Sequence, residues 1–133
     1  MVEGSIPSGP TVANTAEIAW SAGLFEGEGN VNVSRLKSNN GKRYTRLRAS
    51  VTSTDKDVLE KVQNIWGGWI SKRKKYKDHH KQAYRWELSN RLARQFLLTI
   101  LSLLGTRRQK QIADAFEKEG PIVQPGSGKN RGA

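Results

Sequence analysis

Residues 20–30 read W-S-A-G-L-F-E-G-E-G-N, with two carboxylates, Glu26 and Glu28, among three glycines, Gly23, Gly27 and Gly29. A carboxylate can accept hydrogen bonds, hold a hard cation or carry a proton. The residues before it read as a helix, and two local rules are broken together at its end. Glycine weakens a helix interior, and an acid sits badly near a helix C-terminus, where main-chain carbonyls already carry negative partial charge. A double violation of this kind marks an expected functional site. Other reactive groups are few. The chain has no cysteine, which excludes disulfides, thiolate zinc sites and a cysteine nucleophile. His79 and His80 are adjacent, a spacing unlike that of helical metal ligands, and read as loop residues. G-E-G is too short for a nucleotide fingerprint, and no strand precedes it.

The glutamates close a helix that should begin at Asn14, where Asn14 and Glu17 have capping-box spacing. Ile18 and Phe25 share a face that can enter a core. Ala19, Gly23 and Gly27 recur every four residues as a stripe without side-chain bulk, to which a second copy of the helix could approach closely. Asn30–Leu36 and Tyr44–Val51 alternate in character and predict a hairpin. Thr54 and Asp57 repeat the capping-box spacing before a helix with Val58, Leu59, Val62, Ile65 and Trp66 inward, closed by Gly67-Gly68. A second hairpin is predicted from Trp69–Arg73 and Gln82–Leu88. Ser89 or Asn90 would cap an apolar helix through Leu92, Phe96, Leu97, Ile100, Leu101 and Leu104, and a basic helix follows Gly105. The expectation is an α+β domain over residues 14–120, ordered α-β-β-α-β-β-α with one further helix, between loose Gly/Pro/Ser-rich tails at 1–13 and 121–133. Helices should cover one face of a four-stranded antiparallel sheet and leave the other to solvent or a partner.

That other face is basic. The chain carries 23 Lys and Arg against 12 Asp and Glu, a net charge of +11 over 133 residues. Six bases and no acid lie between Arg35 and Arg48, and seven bases with one acid lie between Lys72 and Arg85. Such an excess suits a polyanion, nucleic acid before an anionic membrane. A two-stranded antiparallel ribbon fits the major groove, where Arg reads guanine, Asn suits adenine and Ser is permissive. Asn32, Ser34, Arg46, Arg48 and Ser50, with Ser71, Arg73, Lys75 and Arg85, supply that mixture. Most tryptophans and tyrosines fall on core or loop positions, unlike a base-stacking RNA reader, although Trp69 can lie on the outer face. No membrane partner is expected: the run Phe96–Leu104 is far short of the roughly 20 residues a bilayer span needs. Met1–Thr11 has neither a basic n-region nor an apolar h-region, so an intracellular protein is expected, its compartment undetermined.

The run S-A-G-L-F-E-G-E-G at 21–29 resembles the nine-residue signature of the LAGLIDADG homing endonucleases, with Glu at both acidic positions where the consensus has Asp and Ser21 where leucine is usual. The element order around it is similar to that family's saddle-shaped fold over roughly residues 14–118. The resemblance implies that Ala19, Gly23 and Gly27 form the contact between two signature helices. A chain with one signature would then act as a homodimer on a near-palindromic double-stranded DNA target. It also implies that Glu28 binds Mg²⁺ or another divalent cation, with the Gly27 carbonyl as a second oxygen, while Glu26 is structural. Ser53 matches a polar position past the second strand that helps order water. Arg108 or Lys110 matches a base near the start of the last helix that approaches the cleavage site. The implied reaction is metal-dependent double-strand cleavage across the minor groove, leaving short 3′ overhangs. The alternative is a non-cleaving binding module of the same fold, an intron RNA-splicing cofactor or a DNA-binding regulator; a pure binder gains nothing from an acid facing phosphate.

Overall fold

The computed structural model describes residues 13–75 and 81–120. The expected tails and the loop with Lys77, His79 and His80 lie outside this range, apart from Ala13. The elements are α1 (Thr15–Glu28), β1 (Gly29–Lys37), β2 (Arg43–Ser53), α2 (Lys56–Trp66), β3 (Trp69–Lys72), β4 (Tyr84–Ser89), α3 (Asn90–Ile100) and α4 (Thr106–Glu119), with a short 3₁₀ turn at Leu101–Leu103.

The capping box at the start of α1 forms: Glu17 N–H donates to Asn14 Oδ1 at 2.8 Å, and Asn14 N–H donates to Glu17 Oε1 at 3.0 Å. The one expected at Thr54 does not. Helix α2 starts at Lys56 behind Asp55, whose own N–H is taken by Ser53 Oγ at 2.9 Å, a turn that moves the helix start one residue on. At α3 the N-cap is Ser89 without a side-chain bond. Asn90 instead reaches across the fold, its Oδ1 accepting the Leu47 N–H at 3.2 Å, and its backbone takes φ 53°, a left-handed conformation that asparagine tolerates.

The sheet order is β1-β2-β4-β3, antiparallel throughout, so the two hairpins join through β2 and β4 at the centre. Leu47, Ala49, Val51, Trp86 and Leu88 are buried on the inner face, with Val31, Val33 and Ile70 packed around them. Helices cover this face. Phe96 of α3 is the hub of an aromatic cluster, edge-on to Phe25 of α1 (5.5 Å), Trp66 of α2 (4.9 Å) and Trp86 of β4 (5.3 Å). Leu92, expected in the core, is 39% exposed; Ala93 takes its place, since the inward set 93, 96, 97, 100 keeps the helical period and position 92 falls one step off it. Ser21, where the signature usually has leucine, is buried and its Oγ accepts the Trp66 indole N–H at 2.7 Å, tying α1 to α2.

Candidate metal and nucleic-acid site

The three glycines of the opening stretch have different causes. Gly29 sits where β1 leaves α1, and a Cβ there would overlap the Phe25 ring, so close packing against the core requires it. Gly23 and Gly27 have no such cause: a Cβ at either would meet nothing within 4 Å. Ala19, Gly23 and Gly27 are all exposed on the outward side of α1. Nothing within the described chain asks for glycine at 23 or 27.

The two glutamates also part company. Glu26 turns toward α4, its Oε1 accepting the Gly105 N–H at 2.8 Å, where Gly105 is the N-cap of that helix. A carboxylate at a helix N-terminus is electrostatically favourable. The main-chain oxygen of Glu26 accepts from Arg108 Nε at 3.2 Å. Arg108 is only 9% exposed, its Nη1 donates to Gln111 Oε1 at 3.0 Å, and its guanidinium lies 5.8 Å from the Phe25 ring centre. It therefore supplies from α4 the positive charge that the last turn of α1 lacks. Glu28, the last residue of α1, is exposed and makes no such internal contact among the described residues.

Gly29 pairs with Val51, so the end of α1 lies at the same end of the sheet as the last residues of β2, including Ser53. The Ser53 hydroxyl is half-buried and engaged by the Asp55 amide. Lys110 is exposed on α4, 3.5 Å from Asp114 one turn on. Of the two bases expected near the site, Arg108 points inward and Lys110 outward. Among the described residues no group of three or more His, Asp or Glu gathers in the chain.

The outer face carries the expected polar set in rows. Asn32 faces Arg48, which faces Ser89; Ser34 faces Arg46; Asn30, Ser50, Glu87 and Trp69 make one row, and Thr52, Arg85 and Ser71 the next. Asn32 and Ser71 are exposed, and Arg46, Arg85 and Ser34 half-exposed. Ser50 is on this face by register but only 7% exposed beneath its neighbours. Strand β3 ends at Lys72, shorter than expected, so Arg73 and Lys75 extend beyond it as exposed residues, with Arg73 N–H still bonded to the Ala83 oxygen at 2.8 Å. Two aromatics stand on this face, Trp69 (57% exposed) and Tyr44 (46%). Arg48 lies across three strands, with Nη1 3.4 Å from Glu87 Oε2 and Nη2 donating to Ser34 Oγ at 3.2 Å. Sequence reading had no means to find this pairing, nor the Arg108–Glu26 link, because both partners are distant in the chain.

Over residues 21–114 the sequence matches the LAGLIDADG endonuclease family, and the chain belongs to it. Similar solved structures include the homing endonuclease I-CvuI in complex with DNA (21% identity, TM-score 0.55, covering 74% of this chain and 63% of that one). The archaeal intron-encoded homing endonuclease I-Vdi141I complexed with DNA aligns at 19% identity and TM-score 0.55, covering 71% and 62% of the two chains. The LAGLIDADG homing endonuclease I-LtrWI bound to target DNA aligns at 20% identity and TM-score 0.58, covering 85% of this chain and 38% of that one. At these identities the likeness is one of fold, and the match spans less than two thirds of each of these three proteins. No curated protein sequence matches the chain.

Proposed function

We propose that the protein is a site-specific double-stranded DNA endonuclease that acts as a homodimer with Mg²⁺ or another divalent cation on a near-palindromic target. One observation carries this reading: Glu28 is an exposed carboxylate at the end of a helix whose outward stripe, Ala19, Gly23 and Gly27, is bare of side chains. Pairing two copies of α1 through that stripe would bring two Glu28 carboxylates together at two helix C-termini, an arrangement opposed by charge until a cation joins them.

The donor set fits a hard cation. Glu28 carboxylate and the Gly27 carbonyl are oxygen ligands on an open surface, and Mg²⁺ retains several waters when so few protein groups bind it. When bound, such an ion supplies a water of lowered pKa and stabilises charge on the leaving oxygen. The chain's own residues do the rest. Arg108 holds the last turn of α1 by the Glu26 oxygen, so that Glu28 is presented from a fixed helix end. Lys110 is free of the core and can meet a phosphate. The basic outer face, with Asn32, Ser34, Arg46, Ser71, Arg73, Lys75 and Arg85, would follow a major groove on either side of the two-fold axis.

The test is to incubate the protein with a randomised duplex library and Mg²⁺ and to sequence the ends produced. Cleavage at a recurring, near-palindromic site is expected. Sequence-selective binding without ends would move the assignment to a non-cleaving binding module.

A further inference from the structure

Glu87 is the single acid among the described outer-face residues of the sheet, in a row otherwise made of Asn30, Ser50 and Trp69. An acid turned toward DNA phosphates is unfavourable unless it has a task there. Its side chain is 13% exposed, and its partner is Arg48, whose side chain is 32% exposed. The two are diagonal neighbours, since Arg48 faces Ser89 and Glu87 faces Ser50. On the opposite diagonal Arg48 meets Ser34 of β1. The guanidinium is thus held from both sides.

A hydrogen count shows what remains. Arginine has five N–H groups in a planar fork. One on Nη1 is directed to Glu87, one on Nη2 to Ser34, and Nε is buried without a partner. Each terminal nitrogen keeps one further N–H, on a side chain that is 32% exposed on a basic sheet face. Two parallel donors at that spacing match the N7 and O6 edge of guanine.

We infer that Glu87 is a specificity-positioning residue, which with Ser34 holds Arg48 oriented for one guanine in each half-site. The inference rests on the DNA-binding reading above and deepens it. An unheld arginine spends entropy when it meets a base, and one already oriented spends less.

The experiment selects DNA from a randomised duplex library in EDTA, so that nothing is cut, with wild type, Glu87→Gln, Ser34→Ala and Arg48→Ala, followed by sequencing. Wild type should enrich a symmetric pair of guanines, and Arg48→Ala should lose that preference by about tenfold or more while other positions keep theirs. Glu87→Gln should weaken the same two positions only, and Ser34→Ala should weaken them together with any base that Ser34 itself contacts. Substituting 7-deazaguanine there should cost wild type affinity and Arg48→Ala nothing. An unchanged or sharpened guanine preference in Glu87→Gln overturns the inference while leaving the DNA-binding reading intact. So does an equal loss at all positions, which would mark Glu87 as merely structural. A wild type that enriches no sequence would overturn both.

Discussion

Arg108 Nε donates to the main-chain oxygen of Glu26 at 3.2 Å, across 82 positions of sequence, while the Glu26 side chain caps the start of the helix that carries Arg108. The two links run in opposite directions between the same pair of helix ends. Each places a charge where the other helix's dipole favours it. Arg108→Ala should lower stability by about 1.5–3 kcal/mol, the usual worth of a hydrogen bond to a charged group, with added loss from its packing on Phe25. Urea unfolding of the purified protein checks this; an unchanged midpoint would mean the link contributes nothing.

The two glutamates should separate under the same substitution. Glu26→Gln keeps an acceptor for Gly105 and removes only a dipole-favoured charge, so it should cost roughly 0.3–1 kcal/mol and leave cleavage intact. Glu28→Gln should fold and bind DNA as well as wild type or better, yet cut nothing in Mg²⁺, because an amide oxygen is a poor substitute for a carboxylate ligand. Plasmid nicking and linearisation assays on both variants check the split. Full cutting by Glu28→Gln would end the metal assignment.

Gly23 distinguishes a protomer need from a dimer need. Its Cβ position is open, so Gly23→Ala should raise the helix's intrinsic stability by about 0.5–1 kcal/mol. Gly23→Leu should leave the fold intact but push a second helix away. Sedimentation should then report a monomer where wild type is a dimer on DNA or free. An unchanged dimer in Gly23→Leu would place the contact elsewhere.

Ser21→Ala would leave the Trp66 indole N–H buried without its acceptor. The expected loss is about 1–3 kcal/mol, the cost of an unsatisfied buried donor. Thermal unfolding of the variant measures it. Ser21→Leu, the residue usual in the signature, should be worse than Ala here because the indole already fills the neighbouring space.

DNA affinity should fall steeply with salt, since each Lys or Arg on a phosphate releases condensed counterions. Lys110→Ala should reduce the slope by about one and weaken all sequences alike, as a phosphate contact does. Arg46→Ala should instead relax preference at particular positions. Binding titrations at several salt concentrations separate the two, and a salt-independent affinity would refute the basic-face reading.

The elements and their faces were legible because they depend on local periodicity. Alternation in residues 30–36 and 44–51 assigned Val31, Val33, Leu47, Ala49 and Val51 inward without any knowledge of their partners. The Asn14–Glu17 cap and the Gly67-Gly68 stop are likewise contacts within a few residues. The outward stripe at Ala19, Gly23 and Gly27 and the anomalous acids could be seen as a departure from helix rules, and the signature named the family. Where local rules competed with a distant partner, the tertiary structure decided. Thr54 lost its cap to a turn made by Ser53, and Asn90 gave its side chain to Leu47 rather than to its own helix. Arg108 and Lys110 are two residues apart in one basic run, yet one is buried on Glu26 and the other meets solvent. A charge run records only how many bases are present. Which of them meets an opposing helix end, or a carboxylate such as Glu87 on the neighbouring strand, is set by how β2 pairs with β4 and how the start of α4 meets the end of α1, and those are long-range contacts that no sequence window contains.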